Sequence, residues 1–468
     1  MQLAATKAFV KIGPGLRQAC YDGRASGRFL AEQFMLLGIS DLETGKRWHM
    51  VMDPDAIRAM LLVEGALAKV QGSLGVIPEM SAAAIHRASL EIQVDPGAIA
   101  ASTGENGVSV PGLLAQFRAE MQAPEFAQHV HWGATSQDII DTALMLRLRQ
   151  ALKLAETDLR EIIAALAAGA EQHQSLPMPA RTYGQHATPT SWGAVLAEWG
   201  MPLCDALDQL EALREGSLFV SLSGAAGTGS ALGPKAAETR AQLAQALGLQ
   251  DPGRSWHVDR GPVLRIADWQ GRVMAALAHI AQSTLALTMT ETAELALGAA
   301  GASSTMPQKQ NPVGPSAIVA LGHQFTGQRA TLQAAAAHQH QRDGGAWFAE
   351  WMAVPQLALS LAAALNHTKS LVAGLTPHPV KMRSALTDGL GLIHAEALSF
   401  ALAETMPRPE AQKTTKQLCQ DALAKQVPLA DLVHADYPDV AETLFDPSTQ
   451  MGQAPADAAA FVARARAL

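Results

Sequence analysis

The chain has 468 residues, 48% of them hydrophobic, and a formal net charge of −8. That length supports a large core and two or three domains, and the negative balance without any basic stripe argues against nucleic acid as a partner. Cys20, Cys204 and Cys419 stand far apart in no metal-ligand spacing, which argues against a disulfide framework or a zinc site and for a reducing compartment.

The opening run MQLAATKAFVKIGPG lacks the continuous apolar core of a signal peptide. No stretch of about 18 uninterrupted apolar residues offers a membrane span, so a cytoplasmic protein without a membrane partner is expected. The first stretch of roughly 45 residues shows no readable period. Turn-rich joints follow at Glu105-Asn106-Gly107 and Asp251-Pro252-Gly253. From Leu148, the residues Leu152, Ala155, Leu159, Ile162, Leu166 and Gly169 recur in steps of four and three, the pattern of a bundle seam. A second helical run goes from Trp192 through Val195, Trp199, Leu203, Leu207 and Leu210 to Leu213, and Pro202 should kink it. Strand signals are sparse, the best being SLFVSLSG at 217–224. Three long helical stretches are then expected at 262–297, 314–340 and 347–374, the last kinked near Pro355. Each approaches about 27 to 36 residues, or about 40–50 Å. Such rods cannot bury their apolar stripes alone and should pack as a bundle. Apolar faces on two sides, as in AQSTLALTMTETAELALGAA, predict an oligomer. Pro377-His378-Pro379 should separate the bundle from a small C-terminal helical region.

Three polar segments flank these helices. The first, His131-Trp132-Gly133-Ala134-Thr135-Ser136-Gln137-Asp138, precedes a long helix. Hydroxyls and free backbone N–H groups at a helix start suit an anion, although an ordinary N-terminal cap uses the same residues. The second, Arg181-Thr182-Tyr183-Gly184-Gln185-His186-Ala187-Thr188-Pro189, again precedes a helix. Gln185 and His186 are possible donors to a carboxylate, and a plain helix–helix connection is the simpler reading. The third, Gly301-Ala302-Ser303-Ser304-Thr305-Met306-Pro307-Gln308-Lys309-Gln310-Asn311-Pro312, lies between two long helices. Lys309 and Asn311 with a helix start behind them suit a carboxylate. Ser303 would need its alkoxide stabilised before it could act as a base. A mere linker has no need of this order of Met, Pro, Lys and Asn.

The third segment resembles the signature Gly-Ser-Ser-x-Met-Pro-x-Lys-x-Asn of the fumarase/aspartase superfamily, matching from Ser303 to Asn311 with Ala302 in place of the expected Gly. The other two segments resemble that superfamily's remaining signature regions, in the right order. The resemblance implies an all-α fold of three mostly helical domains. These are an N-terminal domain at 1–130, a central bundle of five long helices with the signature loop at 131–375, and a small C-terminal domain at 376–468. It also implies a homotetramer with a twenty-helix core and active sites that combine the three regions from three subunits. Ser303 would exchange the proton on the carbon beside a substrate carboxylate. Lys309 and Asn311 would bind that carboxylate and stabilise its aci-carboxylate dianion, and Thr135, Ser136 and Gln185 would hold substrate oxygens. No metal or organic cofactor is implied.

Two departures narrow the branch. Fumarases and adenylosuccinate lyases carry a relay His where this chain has Tyr183, and a Glu where it has Ser316. What remains is similar to the bacterial 3-carboxy-cis,cis-muconate cycloisomerases. The similar stretches are His131 to Asp141, Trp256-His257-Val258-Asp259-Arg260, Asn311-Pro312-Val313-Gly314, Gly345 to Trp351 and the tail from Leu444 to Ala454. That branch also has an aromatic residue at the relay position, whereas Gln308 and Gln310 replace its usual His and Arg. The resemblance implies lactone formation from a muconate, as in aromatic catabolism. Lys309, Arg342, Arg260 and His131 would meet the carboxylates, and Gln137, His186 and Ser304 would complete the substrate-binding set. Tyr183 would shape the pocket or act in the chemistry. For Arg260 and Arg342, structural ion pairs are the plain alternative. Trp347 and Trp351 lie four apart, where core packing is the simpler role. A C–N or C–O lyase releasing fumarate from a succinyl-type substrate, and a non-catalytic protein on the same scaffold, are the competing readings.

Overall fold

The computed structural model describes residues 54–299, 301, 305–306 and 308–468. Ser303 and Ser304 lie outside them. Among the described residues the regular structure is predominantly helical, with only two two-stranded sheets, as the all-α expectation requires. It divides into two compact units, each drawn from three stretches of sequence.

The first unit takes in Met1–Leu154, Leu210–Gly271 and Gln324–Ala362. Its early helices are α1 (Pro54–Ser73), α2 (Glu79–Glu91), α3 (Pro96–Asn106), α4 (Val110–Glu120) and the single turn α5 (Pro124–Ala127). Ile57, Leu61, Ile85, Leu113 and Phe117 from these helices close on Ile139 of α6 (Ser136–Gln172) as one apolar core. A second core joins Leu67 to Val220, Leu222, Leu232 and Leu243, the last from α9 (Ala236–Leu247).

The strand expected at 217–224 does not form; α8 (Leu210–Ser217) ends there, and Phe219 makes one isolated bridge with Gln250. The reason is where the backbone donors go. The N–H of Ser221 donates to Thr142 Oγ1 at 2.8 Å, and those of Ser223 and Gly224 donate to the Asp138 carboxylate at 2.9 Å each. A segment whose N–H groups are held by side chains has none left for a ladder.

The second unit takes in Ala155–Gln209, Arg272–His323 and Ala363–Leu468. The seam residues Ala155, Leu159, Ile162 and Leu166 of α6 are all buried. α7 (Trp192–Asp208) runs on through Pro202, and its Trp192 and Trp199 rings meet edge to face at 5.3 Å. A Cβ on Gly200 would stand 2.1 Å from the Phe461 ring, so glycine is what lets α17 (Ala454–Ala467) lie on α7.

A hairpin of β1 (Pro177–Thr182) and β2 (Gln185–Ser191) occupies the region read as a plain connection. Pro177, Pro179 and Pro189 hid its strand character. Tyr183 and Gly184, at φ 52° and 73°, form its two-residue turn.

α10 (Gly261–Leu287) stops ten residues before the expected end. Thr288 Oγ1 bonds back to the Thr284 carbonyl, and Ala293 takes a positive φ of 46°. Its continuation, Leu295–Ala296, is β3, which pairs with β4 (Thr376–Pro377). α11 (Val313–Ala335) is likewise shorter than expected, and α12 (Gly344–Gly374) starts earlier. α12 is long and apolar enough to cross a membrane, but 67% of its most apolar window is buried inside the protein, as in a core helix. After α13 (Pro379–Thr387), Leu398, Leu402, Leu418, Leu429 and Val433 of α14 (Ala395–Leu402), α15 (Arg408–Lys425) and α16 (Leu429–Asp436) build a small core of their own.

Candidate active site

The first signature region builds a polar hub at the start of α6. Thr135 caps the helix, and Asp138, three residues on, reaches back to accept from the Thr135 N–H at 3.1 Å. The same fully buried carboxylate accepts from Ser221 Oγ at 3.1 Å, from the Ser223 and Gly224 N–H groups, and from His257 Nε2 at 2.8 Å. Five donors thus satisfy the Asp138 carboxylate and fasten the 221–224 segment to the helix start. His257 Nδ1 finds no partner among the described residues.

Two arginines beside this hub have opposite fates. Arg260 is 1% exposed. It donates to Asp141 at 2.8 and 3.1 Å, and to Glu350 at 2.8 and 2.6 Å. Burial works against its charge, but the two carboxylates hold the guanidinium protonated above its ordinary range. Burial pushes the Glu350 carboxyl up, and Arg260 pulls against that shift. Every donor direction of Arg260 used here ends on a protein acid. Arg260 is thus a buried ion-pair centre, the plain alternative to a substrate contact at this position.

Arg342 has no carboxylate partner among the described residues. Its Nε donates to Gln137 Oε1 at 2.8 Å, and its Nη2 donates to the Ala225 carbonyl at 3.1 Å and Thr135 Oγ1 at 3.4 Å. It is half-buried. Asp343, next in sequence, instead caps the backbone, accepting from the N–H groups of Gln339 and Ala346; those bonds hold its carboxyl below the usual range. Gln137 is fully buried, with its amide donating to the His257 carbonyl at 2.8 Å and to Asp141 at 3.1 Å. Its polar side-chain atoms are all engaged with protein groups, so the structure places it behind Arg342 rather than at a surface.

His131 sits at φ 66°, a left-handed conformation, with Nδ1 2.6 Å from the buried Glu64 carboxylate. Trp132 is anchored next to it by its carbonyl, which accepts from Gln71 at 2.7 Å. Ser136 stands half-buried at the first helical position.

In the second unit, the hairpin tip presents Tyr183, Gln185 and His186, all exposed. Below the tip, Arg181 grips the buried Glu294 with two bonds, at 3.0 and 2.5 Å, and lies 3.3 Å from His186 Nε2. Burial and then the Arg181 charge lower the His186 pKa. The signature loop is pinched at its base, where Gly301 and Asn311 exchange two backbone hydrogen bonds of 2.9 Å each. A Cβ on Gly301 would lie 2.6 Å from Val313 Cγ2, so a larger residue there would have to push the exposed Val313 side chain aside. Lys309 is exposed and has no ion pair among the described residues. Ser316 Oγ is turned back onto the Pro312 carbonyl at 2.7 Å. Trp347 is buried against Trp351 with ring centroids 4.5 Å apart, the packing role expected of this pair.

Sequence reasoning missed Asp138, Asp141, Glu350 and Glu64 as the acids that organise the first region. Only Asp138 carried a readable signal, the Thr-x-x-Asp spacing of a reciprocal cap. Among the described residues no three His, Cys, Asp or Glu side chains are grouped to share a metal ion.

Residues 42–327 match a family described as lyase. The 3-carboxy-cis,cis-muconate cycloisomerase of Pseudomonas aeruginosa is 36% identical over 86% of this chain and 90% of its own length. The nitrosuccinate lyase of Streptomyces davaonensis is 34% identical, again over 86% of this chain and 90% of its own. The crystal structure of the 3-carboxy-cis,cis-muconate lactonizing enzyme from Pseudomonas putida matches with a TM-score of 0.80 at 33% identity, covering 88% of this chain and 94% of that one.

Proposed function

The chain belongs to the fumarase/aspartase superfamily of enzymes, and from that premise we propose that it is a lactonising cycloisomerase acting on 3-carboxy-cis,cis-muconate or a similar polycarboxylate. The observation that carries the reading is Arg342: a guanidinium held only by neutral acceptors, free of any acid among the described residues, beside a helix start. Such a cation suits a substrate carboxylate.

In the proposed reaction one carboxylate oxygen of the muconate attacks an alkene carbon and forms the ring C–O bond. The π electrons move onto a second carboxylate as an aci-carboxylate dianion, and the carbon beside it then takes a proton. Ser303 supplies that proton. Lys309 and Asn311 hold the developing dianion, the position where preorganised donors act most strongly. Thr135, Ser136, Gln185 and His186 hold substrate oxygens, with His131 as a further donor, and Ser304 flanks the catalytic serine. Tyr183 stands where relatives with a relay carry His. The reading includes the division at 1–130, 131–375 and 376–468, a homotetramer whose sites draw on three subunits, and a cytoplasmic setting.

The test is incubation with 3-carboxy-cis,cis-muconate while the diene absorbance is followed; an unchanged spectrum at high enzyme concentration removes this substrate. Ser303→Ala should lower turnover by at least about 10², and near-normal turnover would assign the proton to another group. The alternative, a C–N or C–O lyase releasing fumarate, is favoured by Gln308 and Gln310 and by the likeness to the nitrosuccinate lyase. Appearance of fumarate absorbance from a succinyl adduct would select it.

A further inference from the structure

We infer that Gln137 is a positioning residue that sets specificity for polycarboxylates: it holds Arg342 by a neutral acceptor, so that the guanidinium stays aimed and its charge stays uncommitted. This deepens the proposed function and rests on that reading for the identity of the substrate.

The inference follows from how charge is distributed around α6. Three buried acids, Asp138, Asp141 and Glu350, belong to the same unit as Arg342. Each is already occupied. Asp138 accepts five bonds, and Asp141 and Glu350 are taken by Arg260. Arg342 therefore meets an amide oxygen, a hydroxyl and a carbonyl, and no carboxylate. A neutral acceptor orients a guanidinium without cancelling its charge, whereas an acid partner would compete directly with an anionic ligand.

Gln137 itself cannot turn. Its amide nitrogen is fixed by the His257 carbonyl and Asp141, so its oxygen is fixed toward Arg342 Nε. The other anchor, the Ala225 carbonyl, follows the residues that Asp138 pins through the Ser223 and Gly224 N–H groups. Arg342 Nη1 makes no bond among the described residues, which leaves one edge of the fork for a carboxylate oxygen. Arg260 carries the structural charge, and Arg342 is reserved for a ligand.

The test uses a probe that does not depend on turnover. Propane-1,2,3-tricarboxylate, a saturated tricarboxylate, is titrated against phenylglyoxal modification of the full-length protein, and the Arg342 peptide is quantified by mass spectrometry. The wild type should show Arg342 protected. In Gln137→Met, which keeps the side-chain length and removes the amide, the concentration for half-protection should rise about tenfold, the effect of one hydrogen bond to a charged group. KM for the muconate should rise by a similar factor with kcat changing less. Gln137→Glu, which keeps an acceptor but adds a competing charge, should also lose protection; it stands in for the Met variant if that one fails to fold. Equal protection in wild type and variant, or no protection in the wild type, overturns the inference. Protection without any turnover of muconate would instead retain the anion site and remove the cycloisomerase reading.

Discussion

Asp138 shows how much one residue can organise. Its two oxygens accept from two backbone N–H groups of the 221–224 segment, one at the helix cap, a serine hydroxyl and an imidazole. Asp138→Asn would turn an amide N–H₂ toward donors and leave some of them unpaired. We expect a loss of about 3 kcal/mol, as for breaking a buried charged network, measured from the midpoint of urea unfolding. His338 gives a pH-dependent contribution. Burial, and then the Arg260 charge, lowers its pKa below the ordinary 6.5. The unfolded ring protonates near 6.5 while the folded ring resists, so this contribution is constant above that pH and is lost as pH falls through 6.5 toward the lower folded value. His338→Gln should flatten the decline of the urea midpoint across that window. An unchanged slope would assign the decline to other groups.

At the scale of the element, the β1–β2 hairpin is the instructive case. Its turn places Tyr183 at φ 52° with a fully exposed ring, a conformation that costs a non-glycine residue about 1 kcal/mol. Among the described residues no side-chain contact of Tyr183 repays that strain, and an observed outlier of this kind points to function. Tyr183→Asn should therefore raise hairpin stability by up to about 1 kcal/mol, since Asn accepts the left-handed region. The same variant should lower kcat/KM about tenfold if the ring belongs to the pocket. A stabilised variant with full activity would reduce Tyr183 to a turn residue.

At the scale of the whole molecule, the proposed tetramer makes a simple demand. Light scattering of the purified protein should give a mass about four times that of the 49.2 kDa chain; a mass equal to one chain would remove sites shared between subunits. The exposed Phe348 and Met352 of α12 are apolar surface available for such contacts.

What the sequence determined was set by period and by local chemistry. The four-and-three spacing along α6 is a property of the helix itself, so its seam from Leu148 to Leu166 is legible without any partner. The signature from Ser303 to Asn311 and the Thr-x-x-Asp cap were legible for the same reason, because each is contiguous. The tertiary structure decided what depended on residues distant in sequence. It turned 217–224 from a strand into a segment held by α6 side chains, because Asp138 and Thr142 took its N–H groups. It made a hairpin of a proline-rich stretch, because a two-residue left-handed turn brought the strands together. It also separated two arginines that look alike in sequence. Arg260 met Asp141 and Glu350, 119 and 90 residues away, and was neutralised. Arg342 met only neutral oxygens and kept its charge, a difference fixed by which side chains fold against each guanidinium.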